Sequence, residues 1–289
     1  MIDDLLIFLD KQRMKYHQLR HANNLFCKWK DRKITKKQSD ALCEILPQYC
    51  KYLKGNLSLV GYSDDIIKKR VELVNAYYNF FYDNEYDNIF SSQGKFRPTI
   101  LEEFMFLLFK DYIEYIKKEY NDEADVINSG AAKAYTNLYF TSPNFKKFIE
   151  SPSIEINLKD QDFAIYRDFD LTINEKKHHI RIPIVAIENK TYIDKTMLEG
   201  IIATAEKVKN GNPYSKFIVV SENYDVDLTV DPAYSRIDQI YVLRKCKRNE
   251  AWADIDPNVV IRFFHEVKEH IQRPWSDVES KMRNDGIII

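Results

Sequence analysis

From position 3 to about position 90, apolar residues return at helical intervals: Leu5, Phe8 and Leu9, then Leu42, Ile45, Leu46 and Tyr49, and later Ile66, Ile67, Val71, Val74, Tyr78 and Phe81. Spacing of three and four puts each set on one helix face, so a helical region is expected. Its Tyr and Phe residues sit on those faces and read as core, not as a surface for stacking bases. The stretch 83–94 is polar and turn-rich, which marks a linker. It divides the chain into a helical amino-terminal region, 1–95, and a second unit, 96–289. That unit opens with a helix at Pro98-Thr99-Ile100-Leu101-Glu102-Glu103, where Thr99 and Glu102 have capping-box spacing.

Beyond about position 151 the pattern changes to strands. Residues 162–165 and 169–173 run into the polar turn Asn174-Glu175-Lys176-Lys177-His178, and the return segment 180–187 is almost continuously apolar. This predicts a hairpin with a buried second strand. A helix follows over 196–209, with Thr196 and Glu199 at capping spacing and Gly211-Asn212-Pro213 as the stop. Strands at 216–221 and 237–243 and a helix at 259–271 complete a mixed α/β unit, a central sheet flanked by helices.

At 289 residues, with 45% hydrophobic and 30% charged residues and only 7 Gly and 9 Pro, the chain is neither collagen-like, disordered nor a disulfide-stapled miniprotein. Cys27, Cys43, Cys50 and Cys246 form no paired motif with each other or with the histidines, so reduced thiols and no zinc are expected. No phosphate-binding glycine-rich loop suggests a nucleotide cofactor. The absence of a basic leader and of any long uncharged apolar run points to a cytoplasmic protein with no membrane partner. Net charge is −1 overall, yet residues 1–54 hold 12 Lys+Arg against 6 Asp+Glu. That local excess permits a polyanionic partner and is matched by an acidic remainder.

The candidate chemistry lies at the end of the buried strand, in Ile187-Glu188-Asn189-Lys190-Thr191. Alternation sends Glu188 and Lys190 to one face, about 6.6 Å apart along the strand. With a turn centred near Lys176, Glu188 faces about Ala164 and Lys190 faces about Asp162, so Asp162 joins the pair. Asp170 would lie about 20 Å away along the strand. Two carboxylates and a lysine at a strand end suit a Mg²⁺ ion, or two, for phosphodiester hydrolysis. Asn189 lies between them and offers its backbone carbonyl. Glu103, beside the apolar stripe of its helix, needs a partner of its own, a metal or a basic group.

The order Asp162, hairpin, Glu188-Asn189-Lys190 resembles the PD-(D/E)XK nuclease superfamily. Longer stretches resemble its BbvCI-type restriction endonucleases, which work as paired, nonidentical subunits. These are Pro98-Thr99-Ile100-Leu101-Glu102-Glu103-Phe104, Lys159-Asp160-Gln161-Asp162-Phe163, Val185-Ala186-Ile187-Glu188-Asn189-Lys190-Thr191-Tyr192-Ile193-Asp194-Lys195, Ala205-Glu206-Lys207-Val208-Lys209 and Ile237-Asp238-Gln239-Ile240-Tyr241-Val242-Leu243-Arg244-Lys245. The resemblance spans about 96–270 and departs from the superfamily pattern at Gln161, where a proline is usual, and at polar Asn189. It implies a PD-(D/E)XK core, metal ligands at Asp162 and Glu188, a catalytic lysine at Lys190 and an acid at Glu103. It further implies a type II restriction endonuclease that cuts duplex DNA at a short sequence, leaves 5′-phosphate ends and acts as a homodimer or as a heterodimer with a homologous subunit.

Two other functions fit the same residues: a repair or junction nuclease that reads DNA shape, and a DNA-reading subunit of a larger nuclease assembly. For DNA contacts the candidates are Lys195, Lys207 and Lys209, on or beside the helix after the triplet, and Arg244 at a strand end. Glu206 either lines the active-site side of its helix or pairs with a neighbouring lysine, and His178 and His179 are expected to sit in an exposed turn.

Overall fold

The structure is a computed structural model describing residues 2–90, 96–123, 125–173, 175–273, 275 and 277–288. The described residues before position 91 form five helices: α1 (Ile2–Lys15), α2 (Arg20–Lys30), α3 (Lys36–Ser58), α4 (Asp64–Asp83) and α5 (Tyr86–Phe90). The breaks between the first three need neither Gly nor Pro. Thr35 accepts from the Gln38 amide while Gln38 reaches back to the Thr35 amide, so a reciprocal capping box starts α3. Ser63 caps α4 by accepting from the Ile66 amide. Leu42, Ile45, Leu46 and Tyr49 on α3 and Ile67, Val71, Val74, Tyr78 and Phe81 on α4 are all buried, as their spacing predicts. The expected linker is partly a helix. Tyr86 and Phe90 of α5 are both buried, while 91–95 lie outside the described residues.

Helix α6 (Phe96–Glu119) carries apolar residues on nearly every side and is buried accordingly, including Ile100, Phe104, Leu107, Leu108 and Phe109. It lies between the amino-terminal helices and the sheet, and one hydrophobic cluster runs through all three. Because the helix already includes Phe96, Thr99 is internal and its hydroxyl donates to the Phe96 carbonyl at 2.8 Å. The expected capping box is therefore absent. Glu102 instead pairs with Arg20 of α2.

The sheet has the order β1 (Ile127–Thr141), β2 (Ser153–Ile173), β3 (Lys176–Ile193), β4 (Lys216–Tyr224) and β5 (Gln239–Val242). A short helix, α7 (Phe145–Glu150), joins the first two. Pairing is antiparallel from β1 to β3 and parallel from β3 to β5, so the sheet is mixed. Strand β1 was not expected. In the hairpin, Phe163 faces Ile187 and Ala164 faces Ala186, a displacement of two residues from the predicted register. The shift arises at the turn, where Ile173 already pairs with Lys176, and a bulge between Ile165 and Tyr166, opposite Val185 and Pro183, takes one residue of it back; Pro183 has no amide hydrogen for the ladder.

Helix α9 (Pro257–Gln272) and α6 cover one face of the sheet, onto which Phe163, Ile165, Val185, Ile187, Ile218 and Val220 project. Helix α8 (Lys195–Gly211) covers the other, over Ala186, Phe217 and Val219. Burial on both faces is why β3 reads as a continuous apolar run. The cap of α8 lies earlier than predicted: Asp194, not Thr196, accepts from the Met197 amide. No helix among the described residues is long and apolar enough to cross a membrane.

Candidate active site

Asp162, Glu188 and Lys190 meet where β2 and β3 part. The Lys190 ammonium lies 2.6 Å from Glu188 Oε1 and 3.6 Å from Asp162 Oδ2. Asp162 Oδ2 also accepts from the backbone amide of Asn189 at 2.9 Å. All three side chains retain access to solvent, at 29% for Asp162, 17% for Glu188 and 27% for Lys190, so they can receive a substrate without a rearrangement of the core. Beyond β3 the parallel ladder to β4 pairs Glu188 with Val219 and Lys190 with Ser221, which fixes the backbone carrying the pair.

Burial and the neighbouring Asp162 carboxylate raise Glu188 above the ordinary carboxylate range, against the opposing pull of Lys190. For Lys190, burial acts downward, but Glu188 and Asp162 outweigh it and the ammonium is held above its usual value. Lys190 is thus a cation at neutral pH and serves as the positive charge between two converging carboxylates. A divalent cation would find two hard oxygen ligands here, with the Asn189 carbonyl adjacent. Among the described residues no third acid, His or Cys joins them to make a three-ligand cluster. Two carboxylates suit Mg²⁺, which usually keeps several of its waters.

Glu103 is elsewhere. Its Oε2 accepts from the Ala22 amide at 3.0 Å and its Oε1 from the Tyr49 hydroxyl at 2.9 Å, and it has no exposed surface. The expectation of a metal ligand does not match a carboxyl already bonded at both oxygens inside the helical core. Arg244 also departs from expectation. It is 3% exposed, donates to Glu222 through Nε at 3.0 Å and pairs through Nη2 at 2.9 Å, and so presents no edge to a base. Lys209 is held by Asp238 at 2.6 Å, which anchors the loop before β5. Lys195, Glu206 and Lys207 are exposed on α8. Near the hairpin turn His179 is exposed, bridging Asp168 and Asp170 at 2.9 Å each, which also removes Asp170 from the triplet.

One basic residue escaped the sequence reading. Lys159 acts electrostatically on Glu188, and with Lys207, Thr136, Asn157 and Asn210 it lines a cavity of about 390 Å³ between the sheet and α8. Its signal was present in Lys159-Asp160-Gln161-Asp162, three positions ahead of the acid. Asn189 turns its side chain to the opposite face, where it is 6% exposed and neither amide atom has a hydrogen-bond partner among the described residues.

With this arrangement in view, similarity to known proteins is informative. The sequence profile of the Bpu10I restriction endonucleases matches residues 93–258, more than half of the chain and the whole of the Asp162 to Lys190 segment. No curated protein matches. Among solved structures, the native BbvCI A2B2 tetramer contains a chain similar to this one with a TM-score of 0.69, covering 88% of this chain and 95% of that chain. At 22% identity that likeness establishes a shared fold, a mixed sheet flanked by helices. The extent of the profile match establishes descent, and the chain belongs to the Bpu10I restriction endonuclease family.

Proposed function

We propose that this type II restriction endonuclease hydrolyses duplex DNA at the Asp162, Glu188 and Lys190 centre with Mg²⁺, leaving 5′-phosphate and 3′-hydroxyl ends. The observation that carries the assignment is the convergence of a lysine ammonium on two partly buried carboxylates, 2.6 and 3.6 Å away, where two inner strands part and the side chains reach solvent. Asp162, Glu188 and the Asn189 carbonyl would hold the metal, which supplies Lewis-acid polarisation of the phosphoryl oxygen and a more acidic bound water. Glu103 is left out of this set because its oxygens are taken.

The protein's own groups do the rest. The Asn189 amide orients Asp162, and Glu188 orients Lys190. Lys190 then donates to the attacking water or a nonbridging phosphate oxygen and stabilises the charge that builds there. Lys159 and the exposed Lys207 position the flanking backbone through phosphate contacts that carry no sequence information. One chain holds one such centre, so cutting both strands calls for a second subunit, a copy or a homologue. The A2B2 assembly of the BbvCI protein supports this, and a restriction enzyme acting on DNA is placed in the cytoplasm.

The purified chain incubated with supercoiled plasmid and Mg²⁺ is expected to nick or linearise it, and the ends should be joined by a ligase without prior phosphorylation. Lys190→Ala and Glu188→Ala should each lower the rate about a hundredfold or more. Cleavage at the parental rate by both variants would remove the centre from consideration.

A further inference from the structure

A polar cleft lies away from the catalytic centre, on α2. It encloses about 710 Å³ and is lined by His17, Arg20, Asn23, Asn24, Lys28 and, from α6, Glu102. Helix α2 is sharply two-sided. His21, Ala22, Leu25 and Phe26 are buried, while Arg20, Asn23, Asn24, Cys27 and Lys28 face the cleft. Those facing positions recur at spacings of three and four, so they form one continuous stripe.

Among the described residues Arg20, Asn23 and Asn24 are each held on one side and keep another hydrogen-bonding group free. Arg20 gives Nη1 to Glu102 Oε2, and its remaining guanidinium nitrogens have no bond among the described residues. Asn23 Oδ1 accepts from Arg13 at 3.2 Å, which leaves its amide nitrogen available. Asn24 Nδ2 donates to Thr99 at 3.2 Å, which leaves its oxygen. The other acid on the cleft wall, Asp31, is held by the Lys33 amide at 2.9 Å and lies 3.9 Å from Lys28. Beyond the stripe, Lys30, Arg32, Lys33, Lys36 and Lys37 are all exposed within eight consecutive positions, and they account for much of the local positive charge.

We propose that this cleft reads the target sequence, with the exposed stripe of α2 entering the major groove. A helix with side chains is about 10–12 Å across and the groove about 12 Å wide, so the fit is close. Eleven residues make a helix about 16 Å long, the rise of about five base pairs. Arg20, oriented by Glu102, presents its fork to a guanine edge, and Asn23 and Asn24 supply a donor and an acceptor to neighbouring bases. The lysines and Arg32 contact the phosphates alongside. The cleft is also well placed for cutting. Gln18, at its edge, donates to the Ser129 carbonyl at 3.1 Å, and Gly130 pairs with Ala164, two residues from Asp162.

This inference rests on the nuclease reading above, so its test is made independent of cleavage. The full-length Lys190→Ala chain is used to select binders from a pool of random duplexes, and a short motif is expected. In the same background Arg20→Lys, which keeps a cation at Glu102 but removes the fork, should lose about ten- to a hundredfold discrimination at one position of that motif. Asn23→Ala, at an exposed site, should relax a different position. Lys33→Gln should weaken binding to all sequences alike and reduce the dependence on salt. An unchanged motif in both Arg20→Lys and Asn23→Ala, or no motif from the parent while the wild-type chain cuts at discrete sites, overturns the assignment of α2. Undiminished cutting by Lys190→Ala would instead count against the catalytic centre, and leave the binding result to be judged by itself.

Discussion

Glu103 illustrates how a side chain can be correctly suspected and wrongly employed. Its place on the apolar side of a helix shows that it needs a partner, and the partners are Ala22 and Tyr49, 81 and 54 positions away in sequence. Such contacts come from helix packing and leave no local trace. Burial raises its pKa from 4.5 to about 7, against the downward pull of the Ala22 and Tyr49 hydrogen bonds. The folded state therefore binds the proton more tightly than the unfolded chain, and this contribution to stability is present below about 4.5 and is lost as pH rises through about 7. The difference amounts to about 3 kcal/mol at most. Glu103→Gln cannot ionise, so its stability relative to wild type should increase by about 2–3 kcal/mol between pH 4 and pH 8 in urea titrations. A constant offset across that range would mean the carboxyl ionises normally in the folded protein. Asp162 was easier to place. A hairpin register two residues off still left it beside Asn189 and Lys190, whereas Asp170 was too far along the strand for any small shift to recruit.

Elements were legible where a strong period coincided with local stop signals. The hairpin and α8 meet that condition; over 3–90 the apolar spacing foretold the buried faces of α3 and α4 but not the breaks between the helices. Strand β1 does not meet the condition. Its first half, Ser129-Gly130-Ala131-Ala132, is made of small residues with weak strand preference, and its pairing with β2 includes shifts at Gly130/Ala132 and Tyr135/Asn137. Its ladder to β2 holds β1 in place, and α8 approaches it closely from outside. A Cβ at Gly211, the last residue of α8, would lie 2.2 Å from the Thr136 carbonyl oxygen, a backbone atom that cannot swing aside. Gly200, near the start of the same helix, has nothing within 4 Å of such a Cβ. The two glycines should respond oppositely to alanine. Gly211→Ala should destabilise by about 1–3 kcal/mol through overpacking, and Gly200→Ala should stabilise by about 0.5–1 kcal/mol through helix propensity. Equal effects in a melting experiment would mean that α8 does not bear on β1 through Gly211.

At the scale of the whole chain, the boundary near position 95 separates two kinds of sequence but not two cores. Asn75 of α4 donates to the Ile255 carbonyl and accepts from its amide, both at 2.9 Å. Trp252 donates to Asn79 at 2.7 Å and stacks on Tyr82 with ring centres 4.4 Å apart. Arg97, at the start of α6, binds both Asp87 of α5 and Glu222 of β4, and Glu222, fully buried, also holds Arg244. A carboxylate buried between two guanidinium groups is costly to break from one side, because the remaining charges lose their compensation. Residues 96–289 expressed alone would lose the partners of Glu103, Thr99 and Ile255 and expose the apolar surface of α6 that now faces α2 and α3. That fragment is therefore expected to lack a cooperative thermal transition, while the full chain shows a single one. A sharp transition in the fragment would mean that the sheet and its helices stabilise themselves. The centre at Asp162, Glu188 and Lys190 would then owe its rigidity to the hairpin and α8 alone. Should the fragment fail to fold, the amino-terminal helices complete the core beneath β2 and β3, and the DNA contact proposed for α2 would use the opposite face of that helix.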